Sequence, residues 1–224
     1  MNFPGYISWL ILLIGGICWL ITYLLIIYRS FKDKSYGMPF TGLALNISWE
    51  YIYGFIVIPA QIGLQTWVNR MWFVLDVFIL IAYMRYGKTD WPKKESHWLF
   101  WPHLMFTLTA GFVLLLYFEK DFESDAITYS AFLMNMLFSG LYINMFFFRN
   151  SLKGQSVGIA FFKLIGTACA SLYLLNGFTF FLQLTGLICF VLDSTYLLLI
   201  VQQYKKENRN IFTRRLKTLP EPVN

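Results

Sequence analysis

The sequence predicts an all-α membrane protein with seven transmembrane helices. Of its 224 residues, 58% are hydrophobic and only 13% are charged, whereas a soluble domain carries about 25% charged residues. The apolar residues form seven runs, each close to the length of about 20 residues that a helix needs to cross a bilayer. This composition excludes an ordinary water-soluble core and indicates a polytopic helical membrane protein.

The seven predicted spans follow one another with short connections, so neighbours in sequence are expected to be antiparallel. Charged or turn-forming residues bound each apolar run, and Asn176-Gly177 separates the last two. The spans cover residues 6–28, 39–60, 68–86, 98–118, 126–148, 157–175 and 178–203. We therefore expect a transmembrane domain over residues 1–204 and a polar tail over residues 205–224.

The basic residues alternate between the two sides of the predicted bundle. Loops one, three and five and the tail carry most of the Lys and Arg, whereas the opposite side holds only Arg70 and Lys120 beside four acids. The positive-inside rule then places the N-terminus outside and the C-terminal tail in the cytoplasm. This distribution follows membrane topology and does not form a nucleic-acid-binding patch. Lys163, near the cytoplasmic start of span six, is expected to snorkel to the interface, with an ion pair as the alternative.

A short word recurs in the two halves of the chain. The sequence FVLD occurs at residues 73–76 and again at 190–193, an offset of 117 residues. The same offset, without gaps, lays spans one to three over spans five to seven and matches Gly37 with Gly154. Short apolar words also recur by chance in such a composition, so a 3+1+3 parallel repeat is a hypothesis at this point.

Three carboxylates lie within the predicted spans: Glu50, Asp76 and Asp193. An ionised, unpaired carboxylate at that depth costs several kcal/mol, so each is a candidate functional residue. Glu50 and Asp193 lie roughly 15–18 Å from the cytoplasmic ends of their spans, and Asp76 slightly shallower, so one cavity can hold all three. Because burial and a neighbouring carboxylate both disfavour the charged form, we expect at least one to be neutral and to act as a general acid. The alternative is a structural hydrogen bond between helices, which fits Asp76 best.

Helical spacing places further groups beside these acids. Asn46 precedes Glu50 by four residues and can hydrogen-bond its carboxyl group. Four aromatic residues flank the three acids along their helices and are expected to line the cavity: Trp49, Tyr53, Trp72 and Tyr196. Aromatic faces stabilise cations by up to about 2 kcal/mol when desolvated. An acid inside such a cage is what the cyclisation of a polyene through carbocations requires.

Other kinds of site have no support in the sequence. No two His or Cys residues have the spacing of metal ligands, so neither a metal nor another cofactor is expected. There is also no Asp-rich motif for a magnesium diphosphate, no Gly-rich phosphate loop and no Gly-x-Ser-x-Gly motif.

Three segments resemble the small integral-membrane terpene cyclases of fungal meroterpenoid and indole-diterpene pathways, a family with bacterial relatives. Residues 44–53, ALNISWEYIY, resemble helix two of that family, residues 72–76, WFVLD, helix three, and residues 192–196, LDSTY, helix seven. The Asn-x-x-Trp-Glu word is the most specific of these, and chain length and span number also agree.

The resemblance implies a cyclase that protonates a terminal epoxide or alkene of a prenyl chain. It implies that Glu50 and Asp193 form the acid pair. In our leading hypothesis Glu50 is the principal general acid, and Asp193 is a second acid or the partner that polarises or re-protonates Glu50. Asp76 and Asn46 would support them. No diphosphate is ionised in such a reaction, so no Mg²⁺ would be required. The expected partners are a lipophilic prenylated substrate and membrane lipid, in a bacterial inner membrane or the endoplasmic reticulum.

Two other functions remain open from the sequence. A small-solute or proton-coupled transporter would suit a repeat with acids near the middle of the membrane. A heptahelical receptor is the second alternative, although a retinal-type pigment would need a Lys in span seven, which has none before Lys205.

Overall fold

The computed structural model describes residues 4–91, 94–175 and 177–207 and shows seven helices. The described residues contain no β-strand, so the predicted all-α fold class is confirmed. The helices are α1 (Gly5–Asp33), α2 (Phe40–Tyr51), α3 (Leu64–Tyr86), α4 (Phe100–Phe122), α5 (Ala126–Arg149), α6 (Val157–Leu174) and α7 (Phe180–Lys206). Short 3₁₀ segments, Gly87–Asp90, Lys94–Leu99 and Glu123–Asp125, flank α4. The predicted tail falls on the end of α7 and on residues 208–224, which lie outside the described residues.

Six of the seven helices are long and apolar enough to cross a membrane, and α2 is the exception. It has 12 residues and continues into a π-helix, Ile52–Ile56. The predicted span extended four residues further, to residue 60. Pro59 explains this early end, because proline has no N–H and disfavours a helical conformation in the residue before it. Arg70 of α3 donates from Nε to the Gly54 carbonyl oxygen over 2.8 Å and so satisfies a backbone group that the wide turn leaves free.

The bundle is built around close contacts of α1 and α6. α1 also packs on α3, α7 packs on α5 and α6, and α2 lies among α3, α4 and α5. Gly15 and Gly166 allow α1 and α6 to approach: a Cβ on Gly15 would lie 3.1 Å from that of Cys169. Small residues at helix contacts of this kind are typical of membrane proteins, where backbones pack closely.

Three loops meet at one end of the bundle and are held by Arg149 at the end of α5. Its Nη1 donates to the carbonyl oxygens of Tyr36, over 2.8 Å, and Lys153, over 2.7 Å. Its Nη2 lies 3.4 Å from the Asp90 carboxylate in the loop between α3 and α4. The α1–α2, α3–α4 and α5–α6 loops therefore lie at the same end, as alternating helices require. That this end faces the cytoplasm stays a prediction.

Candidate active site

A cavity of about 720 Å³ lies inside the bundle, between α1, α2, α3, α5 and α6. Its wall runs from Trp9 and Leu64, at the end where α1 begins, to Tyr23 and Glu50 near the middle of the bundle. Most of the wall is apolar or aromatic, with a few polar side chains at separate points. A cavity of this size and character suits a lipophilic small molecule.

Glu50 is the acid in the cavity wall, and residues from three helices hold its carboxyl group. The Tyr23 hydroxyl of α1 donates to Glu50 Oε1 over 2.6 Å, and Asn46 Nδ2 lies 2.9 Å from the same oxygen. Asn46 Nδ2 also lies 2.8 Å from Asp76 Oδ2 of α3. We call Tyr23, Asn46, Glu50 and Asp76 the Glu50 cluster.

The Glu50 cluster contains two carboxyl groups that are adjacent and buried. Glu50 is 1% exposed and Asp76 is fully buried. Their side chains lie close enough to share a hydrogen bond when one of them is protonated. Glu50 Oε2 and Asp76 Oδ1 have no hydrogen-bond donor among the residues that the structure describes. Each carboxyl group thus has one oxygen held by the protein and one available for a proton.

Two tryptophans predicted to line the cavity do so. Trp72 stacks parallel to Tyr23, with ring centroids 6.2 Å apart, and its Nε1 has no partner among the described residues. Trp49 also lines the wall, and its Nε1 donates to Ser130 Oγ over 2.9 Å. The aromatic surface next to Glu50 is therefore fixed by stacking on one side and by a hydrogen bond on the other.

Two tyrosines predicted to line the cavity lie outside its wall. The Tyr53 hydroxyl donates to Glu119 Oε2 of α4 over 2.6 Å. The Tyr196 hydroxyl donates to Gln155 Oε1 over 3.1 Å, and its ring packs against Tyr142. Each hydroxyl is directed to a polar partner away from the cavity, and the expected place of these two residues on the cation path stays a prediction.

Asp193 lies in a separate group of polar residues and is not part of the cavity wall. Lys163 Nζ donates to Asp193 Oδ1 over 2.5 Å and to Ser139 Oγ over 2.7 Å. All three residues are fully buried. The expectation that Lys163 snorkels is therefore wrong: it lies almost two turns inside α6 and finds an anion on α7. The predicted role of Asp193 as a second acid stays a prediction, and the structure gives it no contact with Glu50.

Tyr23 is the residue of the Glu50 cluster that the sequence did not reveal. It lies on α1, 27 residues before Glu50 of α2. Spacing along one helix therefore cannot predict that the two side chains are in contact. A phenol near the middle of a long apolar span is the local signal that marks it. Among the described residues, no group of three or more His, Cys, Asp or Glu side chains is arranged to hold a metal ion.

The family model of Pyr4-like transmembrane terpene cyclases matches residues 2–205 of the chain. The chain belongs to this family. The resemblance inferred from the three sequence segments is thus confirmed, and the match covers all seven helices except the last residue of α7.

Individual terpene cyclases show the same relationship. The chain is 27% identical to the terpene cyclase pyr4 of Aspergillus fumigatus over 222 residues, which is 92% of this chain and 90% of that protein. It is 31% identical to the terpene cyclase macJ of Penicillium terrestre over 166 residues, 70% of this chain and 62% of macJ. It is 30% identical to the terpene cyclase andB of Emericella variicolor over 165 residues, 70% of this chain and 67% of andB. No solved structure matches the chain.

The family assignment decides between the functions that the sequence left open. It supports a multi-pass membrane enzyme that cyclises a terpenoid, and it favours this function over the transporter. A terpenoid substrate is lipophilic and prenyl-derived, in keeping with the apolar cavity between the helices.

Proposed function

We propose that this chain is a proton-initiated terpene cyclase in which Glu50 protonates a terminal epoxide or alkene of a prenylated substrate. The observation that carries the proposal is the position of Glu50, a buried carboxyl group in the wall of an apolar cavity. One of its oxygens is held by Tyr23 and Asn46, whereas Oε2 has no donor among the described residues. Oε2 is therefore the atom from which a proton would pass to the substrate.

The neighbouring Asp76 explains how such a proton would be held. Two adjacent carboxylates in a dry site repel each other strongly, so a single proton shared between Glu50 and Asp76 is favoured over two negative charges. Asn46 donates to one oxygen of each group and keeps them in register. The proton would rest on one of the two oxygens without a donor among the described residues, Glu50 Oε2 or Asp76 Oδ1, and Glu50 lines the cavity.

The hydrogen bonds to Oε1 favour the transfer itself. When Oε2 loses its proton, Glu50 becomes a carboxylate that accepts hydrogen bonds from Tyr23 and Asn46. Hydrogen bonds to a charged group contribute about 1.5–3 kcal/mol, more than those to a neutral one. Donors that are already in place need no reorganisation as the charge develops, which lowers the barrier to proton transfer.

The aromatic wall would then stabilise the cation that the transfer creates. Protonation breaks the C–O bond of an epoxide, or adds a proton to an alkene, while the next double bond attacks and closes a ring. Trp49 and Trp72 flank Glu50, and Trp19 and Phe138 extend the aromatic surface along the cavity. A desolvated aromatic face contributes up to about 2 kcal/mol to a nearby cation. The last cation releases a proton, so substrate and product are isomers.

The proposed orientation places the reaction within the bilayer. With the N-terminus outside, the end of the cavity near Trp9 and Leu64 lies on the non-cytoplasmic side of the membrane. The host membrane would be the endoplasmic reticulum or a bacterial inner membrane. The substrate would enter as a prenylated aromatic compound dissolved in lipid.

The test compares two acids that differ only in their place in the fold. Wild type, Glu50→Gln and Glu119→Gln are purified in detergent, matched for folded protein, and supplied with a farnesylated hydroquinone or indole, each with and without a terminal epoxide. Removal of a general acid costs about 10²- to 10⁴-fold in rate. We expect that loss for Glu50→Gln, whereas Glu119→Gln, which contacts Tyr53 outside the cavity wall, keeps the wild-type rate within about tenfold. Cyclisation by Glu50→Gln at the wild-type rate would remove Glu50 from the mechanism.

A further inference from the structure

The two halves of the chain contain the same polar contact at matching positions. Asn46 of α2 contacts Asp76 of α3, and Lys163 of α6 contacts Asp193 of α7. Lys163 lies 117 residues after Asn46, and Asp193 lies 117 residues after Asp76. The FVLD word recurs at the same offset. The first residues of α2 and α6, Phe40 and Val157, are separated by the same number. A donor on the second helix and an aspartate on the third are therefore common to both halves.

The loops of the two halves also meet at matching positions. Gly37 precedes α2 and Gly154 precedes α6, again 117 residues apart. A Cβ placed on Gly37 would lie 2.8 Å from the carbonyl oxygen of Gly154, so the two backbones touch. Two halves related by a two-fold axis make contact at equivalent positions along that axis. The contact of Gly37 with Gly154 lies in the loops and is a separate observation from the polar contacts between the helices.

The halves differ where the acid chemistry would occur. The position that matches Glu50 is Thr167, and the position that matches Tyr23 is Gly140. Thr167 is buried and accepts a hydrogen bond from Asn135, 3.3 Å away. The second half thus lacks both the carboxyl group that faces the cavity and the phenol that holds it.

We propose that Lys163 and Asp193 form the second half's counterpart of the Asn46–Asp76 contact and act as a charged brace behind the cavity wall. In this inference, which rests on the proposed function, Asp193 is the counter-ion of Lys163 and positions the wall, and it does not donate a proton to the substrate. Asp193 Oδ1 is bonded to the ammonium group, and Oδ2 is buried without a donor among the described residues. Neither Lys163 nor Asp193 reaches the cavity.

The brace contacts the reaction chamber through aromatic rings. Lys163 Nζ lies 5.6 Å from the ring of Trp19 and 5.5 Å from that of Phe138, and both rings line the cavity. An unpaired ammonium group at this place would repel a carbocation on the other side of the rings. Asp193 neutralises that charge, so its loss disturbs the chamber although it does not touch the substrate.

The experiment removes the pair together and separately. Asp193→Asn, Lys163→Met and two double variants, Lys163→Met/Asp193→Leu and Lys163→Gln/Asp193→Asn, are compared with wild type and Glu50→Gln. Each is measured for the yield of monodisperse protein in detergent, for its thermal midpoint, and for product per folded enzyme with the epoxide-bearing farnesylated hydroquinone. The double variants remove the charge of both partners with little change in volume, which a buried ion pair tolerates better than loss of one partner.

We expect both single variants to lose most of their folded protein, and at least one double variant to regain it. The regained protein should turn over within about tenfold of wild type, at least tenfold faster than Glu50→Gln. A double variant that folds but is as inactive as Glu50→Gln would overturn the inference and restore Asp193 as an acid. So would double variants no better folded than the single ones. If wild type gives no product on any probe, the proposed function fails, and recovery of folded protein in the double variants still tests the brace.

Discussion

The Glu50 cluster and the Lys163–Asp193 pair have the same layout and opposite electrostatics. In the first, the donor to the aspartate is the neutral amide of Asn46, and a second carboxyl group lies beside it. In the second, the donor is an ammonium group, and no second carboxyl group contacts it in the part of the chain that the structure describes.

This difference decides which region can supply a proton. In the second region Lys163 Nζ is bonded directly to Asp193, and loss of either partner would leave a buried charge unpaired. An amide offers hydrogen bonds without charge, so two carboxyl groups joined by Asn46 keep a proton between them. In the proposed mechanism the first region transfers the proton, and the second supports the wall of the cavity.

The largest effect that we expect is a difference in stability between two equivalent substitutions. Asp193→Asn leaves Lys163 charged and buried without an anion, which costs about 3–5 kcal/mol of stability. Asp76→Asn removes an acid whose donor is neutral, and the new amide can still bond to Asn46, so its cost is about 1–3 kcal/mol. Thermal midpoints in one detergent, at matched protein concentration, measure both.

The same two variants can also contradict the proposed electrostatic difference between the two regions. If Asp76→Asn lowers the thermal midpoint as much as Asp193→Asn does, then the first region also holds a fixed charge. The shared proton between Glu50 and Asp76 would then have no basis, and the two halves would differ in sequence but not in electrostatics.

The second effect concerns the phenol that the second half lacks. Tyr23→Phe removes the donor to Glu50 Oε1 and keeps the ring that stacks on Trp72. Loss of a hydrogen bond to a charged group costs about 1.5–3 kcal/mol, which is roughly a 10- to 100-fold decrease in kcat. KM should change little, since the substrate does not contact Oε1 in the proposed mechanism.

Gly140→Ala is the matched control for Tyr23→Phe. Gly140 lies 117 residues after Tyr23, the matching position in the hypothesised repeat, and a Cβ there meets nothing within 4 Å. Its kcat should equal that of wild type. A Tyr23→Phe enzyme with unchanged kcat would show that Asn46 alone suffices to hold the Glu50 carboxylate.

How much of this site the sequence could predict depends on the distance over which its residues interact. Helical spacing correctly placed Asn46 beside Glu50, because residues four apart share a helix face whatever the rest of the fold does. The same rule could not find Tyr23, which belongs to another helix. Seven apolar runs likewise predicted the seven helices, since length and hydropathy are local properties.

The second region was harder to predict because it depends on how helices pack. Lys163 lies almost two turns inside α6, and a long lysine side chain there can extend towards the interface or turn into the bundle. The position of Asp193 on α7 decides between these, and no spacing within α6 reveals it. The end of α2 was misjudged for a different reason, because Pro59 is a local signal that ends the helix before the predicted residue 60.

A third effect tests the wall between the two regions. Gly166 lines the cavity, and a Cβ there would lie 2.7 Å from Trp19 Cδ1, so Gly166→Ala must displace the indole. We expect a loss of about 1–2 kcal/mol in stability, with a rise in KM as Trp19 moves into the cavity. Gly16→Ala is the control, because Gly16 lines the same cavity and its Cβ would meet nothing within 4 Å. Equal behaviour of the two variants would show that Trp19 can adjust without affecting the substrate.

The smallest effect separates two tyrosines that both donate to a glutamate over 2.6 Å. Tyr53→Phe removes the hydroxyl bonded to Glu119, which is only partly buried and can exchange that bond for water. Its stability should fall by about 0.5–1.5 kcal/mol, and its kcat should match wild type, since neither residue lines the cavity. Steady-state kinetics beside Tyr23→Phe measure the contrast. A kcat as low as that of Tyr23→Phe would show that Tyr53 contributes to catalysis although it does not line the cavity.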